Sequence, residues 1–170
     1  FSANDGSYGV ELWVTDGTES GTVMLKNINT TSGASSYPSG FTAFNGKLYF
    51  VADDGSNGTE LWVTNGTPAG TLMVENIYLS GSSSSSPAYL TVMDGKLYFR
   101  AEDASNGEEL RVYDDTSDTV EIVKDIYSGG NSSPSNLTVI NGKLYFTADN
   151  GSDGEELWVS DGTSGGTVMV

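Results

Sequence analysis

A four-residue motif recurs along the chain at nearly constant spacing. Glu-Leu-Trp-Val begins at residues 11, 60 and 156, and Glu-Leu-Arg-Val begins at residue 109, so successive copies lie 49, 49 and 47 residues apart. A second motif, Gly-Lys-Leu-Tyr-Phe, occupies residues 46–50, 95–99 and 142–146, and Phe1 aligns with its last residue. A fixed period of this length is typical of repeat architectures, in which each repeat is one supersecondary unit.

The two motifs divide the chain into one partial repeat and three full ones. The partial repeat covers residues 1–29, and the full repeats cover residues 30–78, 79–127 and 128–170. We expect them to form one continuous repeat domain. Because Phe1 aligns with the middle of a strand, we also expect the sequence to be part of a longer chain.

Each full repeat contains four short apolar runs. In the second repeat these runs are residues 41–44, 47–52, 60–64 and 71–77. Asn45-Gly46, Asp54-Gly55 and Asn65-Gly66 stand between them. Asn-Gly and Asp-Gly accept positive φ angles, and between runs rich in β-branched and aromatic residues they indicate hairpins. The runs are too short for helices, so each repeat is predicted to be a four-stranded antiparallel meander.

The side chains of one predicted strand suggest how the meanders pack. Along residues 47–52, Leu48, Phe50 and Ala52 point to one face and Tyr49 and Val51 to the other, so both faces are apolar. Such a sheet needs a neighbour on each side. The predicted fold is therefore all-β, with tandem β-propeller-like blades. An open stack of β-sheets and a β-solenoid are the alternatives.

Composition excludes several partners and chemistries. The 23 Asp and Glu residues against 7 Lys and Arg give a net charge of -16, which repels phosphate backbones and anionic headgroups. We expect no nucleic acid partner and no membrane insertion. The absence of Cys and His removes thiolate and imidazole nucleophiles and zinc ligands. Abundant Ser, Thr, Gly and Asn with few Lys residues favour a secreted or cell-surface bacterial protein.

The first motif continues into a longer one. Residues 11–18 read Glu-Leu-Trp-Val-Thr-Asp-Gly-Thr, and residues 156–163 differ only by Ser for the first Thr. This octapeptide resembles the defining motif of the bacterial ELWxxDGT repeat family. Asn65 replaces Asp in the second copy, and the third copy departs further, with Arg111 for Trp and Asp-Asp-Thr at residues 114–116. The resemblance implies a large secreted or surface protein and gives no evidence for catalysis.

Acidic loops precede the strand that carries the motif. Calcium takes six to eight oxygen ligands, often from carboxylates in a compact turn. The candidate calcium ligands are Asp5, Glu11, Asp54, Glu60, Asp103 and Glu109. The structural alternative is that the Asp residues form Asx-turns and the neighbouring glycines take positive φ angles. Asn150 stands at the Asp position in the fourth copy.

The recurring Glu and Trp residues favour structural roles. A Glu at the start of an apolar strand is costly if it is buried without a partner, so we expect it to accept backbone N–H bonds. Hydrolysis of a glycoside needs two carboxylates in unlike surroundings, whereas a repeated Glu has the same surroundings each time. We therefore predict no catalytic residue and no enzyme. Trp13, Trp62 and Trp158 are predicted to fill the space between blades.

The predicted function is a structural or adhesive extracellular scaffold that binds proteins or surfaces, with calcium as a candidate stabilising ion. Identical units suit extended or multivalent contact. A glycan-binding module is the alternative, with Tyr8, Tyr37 and Tyr89 as candidate contacts, and a carboxylate-based glycoside hydrolase is a remote one. The expected partners are another protein, a surface glycan, or a second copy of the chain bound through unpaired terminal repeats.

Overall fold

The computed structural model describes residues 1–170, and all of its regular structure is β-strand. The first two repeats contain β1 (Ser2–Asn4), β2 (Val10–Val14), β3 (Val23–Lys26), β4 (Ser39–Phe44), β5 (Lys47–Asp53), β6 (Thr59–Thr64) and β7 (Thr71–Glu75). The last two contain β8 (Ala88–Met93), β9 (Lys96–Asp103), β10 (Gly107–Asp114), β11 (Thr119–Lys124), β12 (Ser135–Ile140), β13 (Lys143–Asp149), β14 (Glu155–Ser160) and β15 (Val168–Met169). The structure has no helix with the length and apolar character that a membrane crossing requires.

The strands form four separate antiparallel sheets. Sheet I has the order β1-β2-β3, sheet II β4-β5-β6-β7, sheet III β8-β9-β10-β11 and sheet IV β12-β13-β14-β15. Each strand pairs with its neighbours in sequence, as in a blade of a propeller, and each predicted repeat contains one sheet. The predicted all-β fold of four-stranded antiparallel meanders is confirmed. A β-solenoid of parallel strands does not fit this pairing.

Hairpin turns set the register of the sheets. Between β4 and β5, Asn45 and Gly46 have φ angles of 48° and 72°. Two consecutive residues with positive φ make a turn whose twist matches that of the flanking strands. Phe44 and Lys47 are therefore the first pair of the ladder, and the register places Phe50 opposite Trp62 on the neighbouring β6.

Two compact units make up the chain, Phe1–Ser84 and Ser85–Val170. We call the face of a sheet that carries the Phe, Ala and Trp positions of the repeat its leading face, and the opposite face its trailing face. In the first unit, Leu12 and Leu25 on the trailing face of sheet I form one buried cluster with Phe50, Ala52 and Trp62 on the leading face of sheet II.

The second unit repeats this packing. Leu110 and Val112 on the trailing face of sheet III share a buried cluster with Phe146, Ala148 and Trp158 on the leading face of sheet IV. Burying a side chain of this size contributes about 1.5–3 kcal/mol. The face-to-face cluster is thus the main stabilising feature within each unit, and Trp62 and Trp158 fill it as predicted.

Candidate functional site

The recurring Glu residues are fully buried in three of the four sheets. Glu11, Glu60 and Glu109 are 0% exposed, whereas Glu156 is exposed. A carboxylate without water needs hydrogen-bond donors from the protein. The segment that leaves each sheet provides them. We call this arrangement, a buried Glu and the donors of the connecting segment, the glutamate clamp.

In the first unit the glutamate clamp ties sheet I to sheet II. Ile28 donates its backbone N–H to Glu11 Oε2 at 2.8 Å, and Ser36 donates its N–H to Oε1 at 3.1 Å and its hydroxyl to Oε2 at 2.6 Å. The Ser36 carbonyl in turn accepts the N–H of Asp53, at the end of β5, at 2.9 Å. The Glu11 carboxylate thus bonds to two points of the segment that connects sheet I to sheet II.

The second unit contains the same arrangement. Ile126, Tyr127 and Ser132 donate their N–H groups to Glu109 at 3.1, 3.2 and 3.3 Å, and the Ser132 hydroxyl also donates to Oε2. Burial raises the pKa of Glu109 above its ordinary value, and the hydrogen bond from the Ser132 hydroxyl and those from the backbone act against this rise. Asp149 N–H bonds to the Ser132 carbonyl at 2.9 Å, as in the first unit.

The serine of the clamp is a residue that the sequence reasoning missed. It stands two residues before a proline, in Ser36-Tyr37-Pro38 and Ser132-Ser133-Pro134, and the third such segment is Ser85-Ser86-Pro87. The residue between them has a φ angle of 47–48° in all three copies, and Ser36 and Ser132 reach the Glu of their own units. The Ser-x-Pro pattern recurs with the period of the repeat and would have identified the partner.

The Asp residues of the hairpin loops form Asx-turns. Asp5 Oδ1 accepts the N–H groups of Ser7 and Tyr8 at 2.8 and 3.0 Å, and Asp54 Oδ1 accepts those of Ser56 and Asn57, both at 2.8 Å. The backbone hydrogen bonds from Ser7 and Tyr8 lower the pKa of Asp5. These oxygens are therefore already engaged within their own loops.

The fourth copy makes the same turn without a charge. Asn150 Oδ1 accepts the N–H groups of Ser152 and Asp153, both at 2.9 Å. Since an amide oxygen replaces the carboxylate with no change in the pattern of bonds, the loop requires an acceptor at this position and not a negative charge. This observation favours the structural alternative for the Asp residues.

The six candidate calcium ligands form two separate sets. Glu11, Glu60 and Glu109 are buried, with Ile77 N–H donating to Glu60 at 3.2 Å. Asp5 and Asp54 lie in hairpin loops, and Asp103 is the last residue of β9. No group of three Asp or Glu side chains lies close enough to hold a metal ion. The geometry therefore adds nothing to the calcium prediction, which stays a prediction.

The Asp-Gly-Thr part of the motif is also a turn. Asp16 Oδ1 accepts the N–H and hydroxyl of Thr18 at 2.9 and 2.7 Å, and Gly21 donates to the Thr18 hydroxyl at 2.9 Å. A Cβ atom on Gly21 would lie 2.0 Å from Asp16 Oδ1, so a larger residue here would displace the Asp16 carboxylate from its turn. Asp161 and Thr163 in the fourth copy repeat the bonds of Asp16 and Thr18.

Arg111 occupies the Trp position of the third copy. Trp62 and Trp158 donate their indole N–H to Ala52 and Ala148, both at 3.1 Å, and Arg111 donates its Nε–H to the equivalent carbonyl of Ala101 at 3.3 Å. Arg111 also forms an ion pair with the Asp103 carboxylate. The guanidinium group of Arg111 thus replaces the indole donor of the other copies.

The pair gives Asp103 unusual electrostatics. Burial acts to raise its pKa, but hydrogen bonds from the Asn106 backbone and side chain and from Arg111 outweigh it and lower the pKa of Asp103 to about 2.

The turn between β10 and β11 also differs from the Asp-Gly-Thr turn of the other copies. Asp118 N–H bonds to the Asp114 carbonyl at 2.9 Å, and Asp118 has a φ angle of 55°.

The aromatic residues proposed for glycan contact are exposed. Tyr8, Tyr37 and Tyr89 are 48%, 68% and 44% exposed. Tyr8 and Tyr37 lie on adjoining segments of the first unit, because Tyr37 N–H donates to the Val10 carbonyl at 3.2 Å. A Cβ atom on Gly9 would lie 2.1 Å from the Ala34 carbonyl oxygen, so the two segments touch directly.

The first unit also contains an apolar cavity of about 590 Å³. Its lining includes Phe1, Leu12, Trp13 and Leu25 from sheet I and Leu48 from sheet II. No carboxylate lines it. The cavity therefore offers apolar contact and no pair of acidic side chains.

No protein-family model matches the chain, and no curated protein matches it. Among solved structures it is similar to an α-L-arabinofuranosidase from Clostridium thermocellum, with 19% identity and a TM-score of 0.38. The alignment covers 81% of this chain and 51% of that chain, so the chain spans about half the length of that enzyme.

The prediction that the chain is not an enzyme needs correction here. It rested on the equal surroundings of the repeated Glu residues, and the structure that the chain matches is that of an enzyme. We withdraw the prediction. At this identity and TM-score the match assigns no activity, substrate or active-site residue to the chain, and the resemblance to the ELWxxDGT repeats stays a prediction.

Proposed function

We propose that the chain is a structural or adhesive scaffold of an exported bacterial protein of the ELWxxDGT type, whose equivalent loops bind protein or glycan partners. The observation that carries the proposal is the glutamate clamp. In the first unit the most conspicuous recurring carboxylate, Glu11, accepts three hydrogen bonds from the segment that joins two sheets. Such a residue serves the repeated architecture, and the repetition suits multivalent contact.

The rest of the motif supports the same proposal. Trp62 and Trp158 fill the packed cores of their units, and Asp16, Gly21 and Thr18 form a self-contained turn. These recurring residues thus have structural partners within their own units. Residues that vary between copies, such as Tyr8 and Arg111, are then the ones that distinguish one blade from another.

Bead adhesion tests the proposal. Beads coated with the chain at several densities are passed over surfaces coated with protein, with polysaccharide or with bacterial cells, and retention under flow is measured. A multivalent scaffold predicts retention that rises more steeply than linearly with coating density. Beads coated with heat-unfolded chain are the control. Equal retention of folded and unfolded coatings, or no retention on any surface, would remove the proposal.

Glycan binding is a second candidate, and the Tyr8 and Tyr37 pair favours it. Both rings are exposed and lie on segments that contact each other, and exposed aromatic rings provide large apolar faces with a polar tip. The double variant Tyr8→Ser/Tyr37→Ser should lose retention on polysaccharide. The single variant Tyr89→Ser should keep it, because the Arg100 guanidinium group already lies over the Tyr89 ring, 5.3 Å from its centre. Retention of the double variant at the level of the unchanged chain would contradict this candidate.

A further inference from the structure

The turn between β6 and β7 has an Asn where two other copies have Asp. Residues 65–70 read Asn-Gly-Thr-Pro-Ala-Gly, whereas the first and fourth copies have Asp16-Gly17 and Asp161-Gly162 at the equivalent positions. Glycine has no side chain to shield its nitrogen, so in an Asn-Gly pair this nitrogen can approach the Asn carboxamide closely. We propose that Asn65 is a modification site, which its own turn converts to an acidic residue in the folded chain.

The reaction at Asn65 needs only water and hydroxide. The Gly66 nitrogen gives its proton to hydroxide and bonds to Asn65 Cγ. The bond between Cγ and Nδ2 then breaks, and the nitrogen leaves as ammonia with a proton from water. Water opens the resulting cyclic imide, so a carboxylate replaces the carboxamide without any oxidant or reductant. Residues 65–67 are exposed, which gives both reagents access to the turn.

Hydrogen bonds hold the Asn65 carboxamide in place within the turn. Thr67 donates its N–H to Asn65 Oδ1 at 3.1 Å and its hydroxyl to the same oxygen at 2.7 Å. Because Thr67 lies two residues after Asn65, these bonds fold the carboxamide back along the Gly66 peptide. The Gly66 N–H donates to Thr64 Oγ1 at 3.0 Å. The reacting groups are thus ordered before the reaction begins, which lowers its entropic cost.

The same two donors lie where negative charge develops. When the Gly66 nitrogen adds to Cγ, Asn65 Oδ1 becomes an oxyanion, and preorganised donors about 2.7–3.1 Å away stabilise such a charge. The Asp copies show that this turn favours a negative oxygen. The side-chain hydrogen bond from Thr18, followed by that from its backbone, lowers the pKa of Asp16. Thr163 lowers the pKa of Asp161 in the same way.

An Asp at residue 65 fits the turn without rearrangement. Asp16 Oδ1 accepts the N–H and the hydroxyl of Thr18 at 2.9 and 2.7 Å, close to the distances that Asn65 makes with Thr67. Conversion to Asp therefore gives the second copy the Asp-Gly-Thr turn of the first and fourth copies. It also adds one negative charge to the exposed end of sheet II.

Two other Asn-Gly pairs differ from Asn65 in a way that should slow them. Asn141, at the tip of the hairpin between β12 and β13, has no donor to its Oδ1. Asn150 has two donors, but its Nδ2 donates to Asp153 Oδ2 at 2.7 Å. A carboxylate at residue 150 would lose that bond and lie beside the Asp153 carboxylate, which like-charge repulsion disfavours. Asn65 Nδ2 donates to no carboxylate, so we expect Asn65 to react first.

Peptide mapping by mass spectrometry tests the proposal. The full chain, folded or in urea, is kept in mildly alkaline buffer made with heavy-oxygen water, which labels each new carboxylate. Aspartate and isoaspartate both count as conversion. In the folded chain residue 65 should convert at least about tenfold faster than residues 141 and 150, because only its turn combines the two donors with a free leaving group. In urea the three rates should approach one another. Equal rates in the folded chain, or the same preference in urea, would overturn the proposal.

Variants of Thr67 separate the effect of the hydroxyl from that of the sequence. Thr67→Val removes this donor and should slow the conversion of Asn65 about tenfold, whereas Thr67→Ser keeps the donor and the rate. Asn65→Asp is the finished product and should elute with the converted chain on anion exchange. Circular dichroism shows whether the variants fold. An unchanged rate in folded Thr67→Val, or an equal loss in Thr67→Ser, would show that the turn does not promote the reaction.

Discussion

Strands β10 and β14 have the same motif in the same register and differ in what surrounds it. Arg111 pairs with Phe99 across the sheet as Trp158 pairs with Phe146, and both side chains donate to an alanine carbonyl ten residues earlier. Yet Arg111 forms an ion pair with Asp103, whereas the Trp158 ring contacts Lys124. The motif therefore defines the strand and its own pairs, whereas the environment of each side chain depends on the residues around it.

Arginine is tolerated in β10 because a carboxylate lies beside it. Asp103 supplies that carboxylate, and the equivalent residue beside Trp158 is Asn150. In addition, Lys124 Nζ lies 5.8 Å from the centre of the Trp158 ring, where it gains a cation–π contact. Residues 111 and 158 are equivalent in the repeat, but a negative charge lies beside residue 111 and a positive charge lies beside residue 158.

Exchange of Trp158 for Arg should have the largest effect. Trp158→Arg places a guanidinium group beside Lys124 with no carboxylate partner, and a buried unpaired charge costs about 3–5 kcal/mol. Adding Asn150→Asp should recover about 1–3 kcal/mol by restoring the pair seen in β10. The free energy of unfolding in urea, followed by circular dichroism, measures both. Equal stability of the single and double variants would show that the pair does not explain Arg111.

Removal of the buried carboxylate should have the next largest effect. Glu109→Ala leaves the N–H groups of Ile126, Tyr127 and Ser132 without an acceptor, which we expect to cost about 3 kcal/mol. Glu156→Ala is the matched control in β14 and should change stability by less than about 0.5 kcal/mol, because its side chain is exposed. If both variants lose the same stability, the glutamate clamp does not contribute as the structure indicates.

A smaller effect is expected from pH. The pKa of Asp103 is about 2 in the folded protein, below its ordinary value of 3.8, so its stabilising contribution is complete above pH 4 and is lost as the pH falls toward 2. We expect it to be roughly 1–2 kcal/mol. Asp103→Asn should make the free energy of unfolding depend less on pH between about pH 4 and pH 2. Asn150→Asp alone should change this pH dependence by a smaller amount.

The contribution of Glu109 to the free energy of unfolding changes with pH in the direction opposite to that of Asp103. Its pKa is raised on folding, so the folded state holds the proton more readily and this group adds stability as the pH falls below its folded pKa. The free energy of unfolding of the unchanged chain therefore gains from Glu109 as the pH falls toward 4.5, the ordinary pKa of the group, and loses the Asp103 contribution as the pH falls further. Glu109→Gln should remove the gain above pH 4.5 and leave the loss at lower pH, and the combination with Asp103→Asn should remove most of the dependence on these two residues.

The sequence predicted the sheets well because the turns and strands are local. Asn45-Gly46 fixes a hairpin, and apolar residues on both faces of residues 47–52 required a neighbouring sheet. Local reasoning of this kind missed the partner of Glu11, because Ser36 lies 25 residues away and its approach depends on a positive φ angle at Tyr37; only the period of the Ser-x-Pro pattern points to it. Nor could it show that Arg111 and Asp103 pair, since strand register brings them together.

Calcium should have the smallest effect of all. Asp103 and Asn150 form the same kind of turn, before β10 and before β14 respectively. The side-chain oxygens of Asp5 and Asp54 already accept hydrogen bonds from their own loops. Because the turn forms with either Asp or Asn, we expect addition of calcium or of a chelator to shift the melting temperature by less than about 1 °C, well below the roughly 2–4 °C that 1 kcal/mol produces in a chain of this size. Calorimetry with magnesium as the control measures this. If the melting temperature rises saturably with calcium but not with magnesium, and Asp54→Asn abolishes the rise, the metal site is established. The carboxylate would then be explained by calcium binding and not by the Asx-turn.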